Sequence, residues 1–475
     1  MARREKLPTL EFLQIERMAA EGKCVAHVDG RAVFVPFSAP GDVVDVKVTK
    51  SRKKFWEGKA IEFHQLSAQR TEPFCSHFGI CGGCKWQHIP YEQQLVYKRQ
   101  QVIDQFERIG KIPIPEVAPI LPSEKTRYYR NKLEFAFSDQ RWFTREEIAT
   151  GEKLDKRALG FHIPGSFEKI LPIDHCYLQT DPSNDIRLAV DEYAKEHQLP
   201  YYNMRKHTGV LRTLLIRTSN TGELMVMVQF GRDADQAPEA IEGLLSFLRE
   251  KFPMITSLQY VINRKMNDTF HDLEVTLFAG RPHITEQMED LQFRVSAQSF
   301  YQTNSDQAYQ LYRVAREFAQ LSGNEVVYDL YSGTGTIANF IARQAKKVIG
   351  IEYVEPATQD ATANSRLNNI DNTAFFAGDM RELLKPDFLN QHGQPEVIIT
   401  DPPRVGMHAD VVKQLVAIRA PRIVYVSCNP ATQARDIALM SDHYQVEKLQ
   451  PVDMFPHTHH VECVALLELR KEAVN

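Results

Sequence analysis

The sequence predicts a multidomain α/β protein: a small β-barrel first, an α+β middle, and a seven-stranded sheet covered by helices at the C-terminal end. Three observations predict it. At 475 residues the chain exceeds what one hydrophobic core normally organises. Residues 8–68 read as short alternating strands punctuated by Gly, Pro and Asp turns, the texture of a small barrel. Residues 295–475 alternate short continuous apolar strands with helices, the texture of a parallel sheet buried on both faces. A composition 43% hydrophobic and 25% charged excludes a disordered or fibrous chain. No apolar run reaches membrane-spanning length, and MARREKLPTLEF carries charge but no apolar leader core.

In the barrel region the expected strands are Lys23–Val28, Ala32–Phe37, Val43–Val48 and Glu57–Phe63, joined by the turns Asp29-Gly30 and Ala39-Pro40-Gly41-Asp42. Across the junction of the last two runs a basic segment with Lys47, Lys50, Arg52, Lys53, Lys54 and Lys59 around Phe55 and Trp56. Cations that neutralise phosphates, interleaved with aromatic faces that stack bases, suit nucleic acid. The alternative is a solvated hairpin tip with its aromatics tucked under the barrel.

The middle, residues 69–294, contains strand candidates Arg130–Phe137, Leu214–Thr218 and Leu224–Gly231. It also holds one amphipathic helix over Tyr91–Gly110, a candidate to pack on the C-terminal domain. Three thiols, Cys75, Cys81 and Cys84, share a loop with Gly79, Gly82 and Gly83, and Cys176 follows in Asp174-His175-Cys176. Seven cysteines, an odd number, in a chain without a visible leader argue for a reducing, cytoplasmic setting and for metal or catalytic use. Four thiolates suit tetrahedral zinc or a cubane iron–sulfur cluster, and spacing does not choose between them.

The C-terminal strands are Glu325–Leu330, Lys347–Tyr353, Thr373–Ala377, Val397–Thr400, Arg422–Ser427, Gln445–Pro451 and Val461–Leu469. The helices between them are Thr336–Gln344, Ala357–Asn368, Ala409–Ile418 and Thr432–Ser441. Ligands of such sheets bind beyond the carboxyl ends of the strands. There the sequence places Asp329-Leu-Tyr-Ser-Gly-Thr-Gly, then Glu352, then Asp379, then Asp401-Pro-Pro-Arg-Val-Gly, then Ser427-Cys428-Asn429-Pro430. Gly333-x-Gly335-x-x-Ala338 followed by Glu352 also satisfies a dinucleotide fingerprint. A nicotinamide enzyme would need neither the Asp401 loop nor Cys428. Glu352, Asp379 and Asp401 in one crevice and no second phosphate cradle suit S-adenosylmethionine, a phosphate-free cation.

Asp-Pro-Pro-Arg-x-Gly, Ser-Cys-Asn-Pro and His459-His460-Val461-Glu462 together resemble the RNA 5-methyluridine (uracil-C5) methyltransferases. So do Ala297-Gln298-Ser-Phe-Tyr-Gln302-Thr-Asn304 and Tyr129-Arg130-Asn131-Lys132. The likeness spans nearly the whole chain, and the barrel is similar to the TRAM domain, an OB-like fold that many members carry. The resemblance implies a Rossmann-like, class I S-adenosylmethionine-dependent methyltransferase domain over 295–475. Cys428 would be the nucleophile and Glu462 the general base, with Gln298, Tyr331, Thr336, Glu352, Asp379 and Asp401 on the cofactor. It also implies a [4Fe–4S] cluster on Cys75, Cys81, Cys84 and Cys176, and an RNA substrate, 23S ribosomal RNA before transfer RNA, handled by a monomer away from membranes.

The chemistry needs those residue types. Uracil C5 is too weak a nucleophile to take a methyl group unaided. A thiolate adding at C6 places carbanion character on C5, and a base must afterwards remove the C5 proton so that the thiol can leave. A paired base cannot present C6, so the uridine must be unpaired or flipped out. Trp86, Phe135, Phe300 and Tyr301 are candidate stacking partners, and Arg130 and Lys132 candidate phosphate contacts; core or half-exposed strand positions are the plainer readings. Cys463, inside the last strand, reads as core. Rival classes are an oxidoreductase, a non-catalytic RNA-binding protein and an N-methyltransferase using Asp-Pro-Pro.

Overall fold

The computed structural model describes residues 7–471; the first six residues of the stretch read above as lacking an apolar leader lie outside it. Among the described residues, no helix is long and apolar enough to cross a membrane.

The leading barrel is a six-stranded sheet, Thr9–Gln14, Arg17–Met18, Lys23–Val28, Arg31–Pro36, Val43–Ser51 and Phe55–Gln65. Alternation sends Cys24, Ala26, Val33, Val35, Val44 and Val46 into its core. Each fully buried aliphatic of this kind is worth about 1.5–3 kcal/mol. Gly58 is needed where two strands meet, since a Cβ there would stand 2.3 Å from Val46 Cγ1.

The middle forms a second seven-stranded sheet, built on the hairpin Leu211–Thr218 and Leu224–Gly231. The second of these strands is buried along its whole length: helices Ser183–Glu196 and Pro238–Lys251 cover Leu224, Val226, Val228 and Phe230 with Ile186, Val190, Leu244, Leu245 and Leu248, and Ile284 and Phe293 share a core with Met225 and Met227 on its other face.

The C-terminal sheet has Val326–Leu330 at its centre. Counting strands in chain order, the arrangement is 3-2-1-4-5-7-6, with the first five parallel. The seventh, Glu462–Leu469, inserts antiparallel between the fifth and sixth, so the sheet is mixed where a parallel one was expected. Two segments from the expected middle region join its faces. Helix Tyr91–Gln105 ends in a wider turn at Phe106–Gly110, and its Val102 and Phe106 pack with Tyr328, Ile423 and Ile437. The hairpin His283–Met288 and Leu291–Ser296 packs on the other face with Val327 and Ile337.

Candidate active site

The candidate crevice forms where the parallel strands end. The first strand runs into Tyr331, held at φ 63, and Gly335 at φ 73. A Cβ on Gly335 would lie within 3.0 Å of Ala361, Phe375 and Asn339, so this tight turn requires glycine. Thr336, buried, opens the helix that follows. Glu352 closes the loop from the next strand: it accepts from Gly333 N at 3.0 Å and from Val354 N at 2.9 Å.

The loop Asp401–Met407 is tied to the helix Pro430–Ala438. Asn429 Nδ2 and Thr432 Oγ1 donate to the Arg404 carbonyl at 3.0 and 3.2 Å, Arg435 donates to Val405 O at 2.9 Å, and Met407 N donates to Asp436 at 2.7 Å. A Cβ on Gly406 would meet Arg435 at 2.4 Å and Asp436 at 2.6 Å. The two motifs therefore form one platform. Cys428 stands beside it at the end of the fifth strand, half-buried, and Glu462, buried, opens the neighbouring seventh strand.

Beside this platform, half-buried Asp401 and buried Glu462 and Asp329 are acids with no salt-bridge partner among the described residues. Burial pushes the Asp401 carboxyl up to about 7. Burial and then the charge of Asp401 raise Glu462 to about 8, against a small opposing pull from Arg404. Asp329, buried beside Asp401 and Glu352, is raised well above the carboxylate range, and its Oδ1 has no hydrogen-bond partner. Burial and the charges of Glu462 and Asp401 raise the Cys428 thiol to about 11. A sulfonium placed among these groups would favour every charged form, so the residues fit a cationic methyl donor.

Two expected cofactor contacts are differently engaged. Asp379 caps its own short helix and holds the Arg381 side chain, which keeps its carboxyl near 2; a contact with an adenine amino group requires Arg381 to share it. The Gln298 amide nitrogen donates to the carbonyls of Phe270, His271 and Leu273 at 3.3, 2.9 and 2.9 Å, leaving only its amide oxygen for a ligand. Gln302, four residues on, lies near buried Tyr312, whose hydroxyl is raised first by burial and then by the charge of Asp401. Sequence reading passed over Gln302; the signal available was its place in the same motif.

Of the candidate stacking residues, Trp86, Phe135 and Tyr301 are buried while Phe300 is 69% exposed. Arg130 lies over the Phe455 ring at 4.9 Å and Lys132 pairs with Glu134 at 2.6 Å. Cys463 is core. In the barrel hairpin, Arg52, Lys53 and Lys54 are exposed at the tip. Trp56 lies under Arg31 at 5.1 Å and donates to Ser51 at 3.0 Å, and Phe55 meets Phe34 edge-on at 5.7 Å. The cations thus face solvent while the aromatics are tucked against the barrel.

Cys75, Cys81, Cys84 and Cys176 line one cavity of about 340 Å³ together with Leu133, Phe161 and Ile173. None is in a disulfide. Burial and mutual repulsion raise Cys81 to about 11 and Cys84 to about 12, so their thiolates need a cation brought to them. Among the described residues, no three of these sulfurs lie mutually within 4.8 Å. A single tetrahedral zinc, with Zn–S of about 2.3 Å, would bring its sulfurs to roughly 3.8 Å of one another. No three sulfurs are thus as close as one zinc would hold them, and four thiols lining one cavity are a donor set that suits a thiolate-bound metal or cluster.

Residues 281–470 match the tRNA (Uracil-5-)-methyltransferase family and residues 13–61 the TRAM domain. A protein of Bacteroides thetaiotaomicron described as an uncharacterized RNA methyltransferase is 57% identical, covering 95% of this chain and all of its own length. One from Chlorobaculum tepidum is 39% identical over 96% of this chain and 95% of its own. Among solved structures, the Pyrococcus abyssi tRNA (uracil-54, C5)-methyltransferase in complex with S-adenosyl-L-homocysteine aligns with TM-score 0.72 and 28% identity, covering 95% of this chain and 99% of that one.

Proposed function

Because the chain belongs to the RNA (uracil-5-)-methyltransferase family, we propose that it methylates C5 of an unpaired uridine in 23S ribosomal RNA, with Cys428 as nucleophile and Glu462 as general base. The observation carrying this reading is the joint placement of a thiol and a buried carboxyl, on adjacent antiparallel strands, at the edge of an acid-lined crevice. S-adenosylmethionine, when bound, supplies an electrophilic methyl group on a sulfonium. Tyr331, Thr336, Glu352, Asp379 and Asp401 are assigned to hold it, with Gln302 and the Gln298 oxygen contributing amides.

Cys428 Sγ, as thiolate, forms a bond to C6, and the ring's electron pair moves to C5, which takes the methyl group. Glu462, as carboxylate, removes the C5 proton; the C6–S bond then breaks and returns the electron pair to sulfur. Arg404 opposes protonation of both residues, which favours the thiolate at the start and the carboxylate before release. The barrel, residues 8–68, is read as an RNA-binding module acting through Arg52, Lys53 and Lys54. Cys75, Cys81, Cys84 and Cys176 are assigned to a [4Fe–4S] cluster in the central domain, residues 69–294. Methyl transfer calls for no electron, so the role read for it is structural or RNA-positioning, with redox sensing the alternative.

The choice of ribosomal RNA rests on the coexistence of the cysteines with a TRAM-type barrel. Transfer RNA is the second reading, favoured by the P. abyssi relative, a tRNA (uracil-54, C5)-methyltransferase. Both are tested by incubating the protein and S-adenosylmethionine with 5-fluorouridine-containing fragments of each RNA. Fluorine cannot leave C5 as a proton, so a covalent adduct accumulates with the true substrate. No adduct with either RNA, or an undiminished one with Cys428→Ala, defeats the mechanism; an adduct with transfer RNA alone replaces the substrate.

A further inference from the structure

Between the sixth and seventh strands the chain leaves the sheet at Val452 and returns at Glu462, which pairs with Val452 across the strands. The intervening excursion, residues 453–461, carries no group used in the reaction above, yet it is tied along its length. Asp453 accepts from Lys98 Nζ at 2.6 Å and from the Tyr91 hydroxyl at 2.8 Å, and both Lys98 and Asp453 are fully buried. Lys98 also donates to Phe455 O at 3.0 Å, Asn304 to Met454 O at 2.9 Å and the Tyr129 hydroxyl to Pro456 O at 3.0 Å. His457, at φ 63, donates its N–H to Gln94 Oε1 at 2.9 Å and accepts Gln94 Nε2 on Nδ1 at 3.1 Å. Its carbonyl accepts from Lys85 and Trp86, the two residues after Cys84, at 2.9 and 3.0 Å.

Among the described residues, no hydrogen bond holds the Glu462 carboxyl itself. Its position is therefore set by backbone, from the sheet on one side and from the excursion on the other. We propose that Lys98 and Gln94 are positioning residues for proton removal: through Asp453 and His457 they fix the excursion in the shape that delivers Glu462 to the substrate. The cysteine loop, which runs directly into Lys85 and Trp86, braces the same carbonyl. A misplacement of about 1 Å in a catalytic group can cost about 100-fold, so a loose excursion slows the step Glu462 performs and spares those it does not.

This inference rests on Glu462 as the base, and the experiment separates the two. Wild type, Glu462→Gln, Gln94→Met and the pair Lys98→Met with Asp453→Leu are compared in single turnover on ordinary uridine RNA. Removing Lys98 alone would strand a buried carboxylate; the pair leaves no lone charge. Methylated covalent adduct and released product are quantified on denaturing gels. Gln94→Met and the paired variant are expected to form adduct within about twofold of the wild-type rate and to release it at least about 10-fold more slowly. Unchanged release, or addition and release slowed together, overturns the inference. If Glu462→Gln itself traps no adduct, the assignment of the base falls instead. Hydrogen exchange on the wild-type protein needs no variant: the amides of Asp453 and His457 are expected among the slow class, and fast exchange there overturns the clamp.

Discussion

Cys84 and Cys428 are both partly open thiols whose ionisation is resisted first by burial, yet their surroundings differ in kind. Cys84 shares an apolar cavity with three other cysteines, and nothing charged but sulfur raises it further. Cys428 stands among carboxyls, with Arg404 the one cation pulling the other way. The first arrangement has no use until a cation is bound permanently. The second can remain protonated in the free protein and become reactive when a cationic donor arrives. A cysteine's role is thus set by what shares its enclosure, since both are similarly enclosed.

The sharpest way to break this comparison is to exchange fates. Cys428→Ala is expected to lower methyl transfer by at least about 10³-fold while leaving RNA binding and any cluster absorbance intact. Cys84→Ser is expected to do the converse: visible absorbance from the cluster is lost and the melting temperature falls by several degrees, with the fluorouridine adduct still forming in the folded fraction. A Cys84→Ser protein with full absorbance would remove that residue from the ligand set.

Both environments were legible in the sequence to different depths. Cys428 and Glu462 come from motifs at strand ends, and short apolar strands between helices mark those ends reliably. Helix starts were harder. Helices Glu355–Leu367 and Pro430–Ala438 begin two residues earlier than expected because Pro356 and Pro430 sit in the first turn, where proline is tolerated and not a breaker. Thr9–Gln14 was not named as a strand, since only Leu13 along it is buried. That Gln298 spends its amide nitrogen on the 270–273 carbonyls, and that Asp379 holds Arg381, are side-chain choices; periodicity reports neither. Lys98–Asp453 joins residues 355 positions apart, which no local pattern encodes.

A smaller effect tests the electrostatic half of the comparison. With a pKa of about 11, Cys428 is thiolate in about one molecule per thousand at pH 8. Alkylation by iodoacetamide is expected to climb with pH through 7–10 without levelling. S-adenosylmethionine, bringing a positive sulfonium, should speed alkylation at pH 8 about 10-fold and move the rise to lower pH. S-adenosylhomocysteine, neutral at sulfur, should not. Peptide mapping with Cys428→Ala as control identifies the modified thiol, and equal effects of the two ligands would refute the donor's charge as the trigger.

The smallest expected effect lies farthest from either thiol. Lys53 and Lys54 are exposed at the barrel's hairpin tip, while Lys50 is held by Glu57 at 2.8 Å. Phosphate contact by free cations releases counterions, and each lost contact lowers the slope of log affinity against log salt by about 0.7–0.9. Lys53→Ala with Lys54→Ala should weaken RNA binding a few-fold at about 0.1 M salt, flatten the slope by between one and two, and leave the single-turnover rate at saturating RNA unchanged. Lys50→Ala should do less, because its charge is already partly neutralised by Glu57. A slope unaltered by the double substitution would make the tip a solvated turn and move RNA recognition to the crevice and central domain.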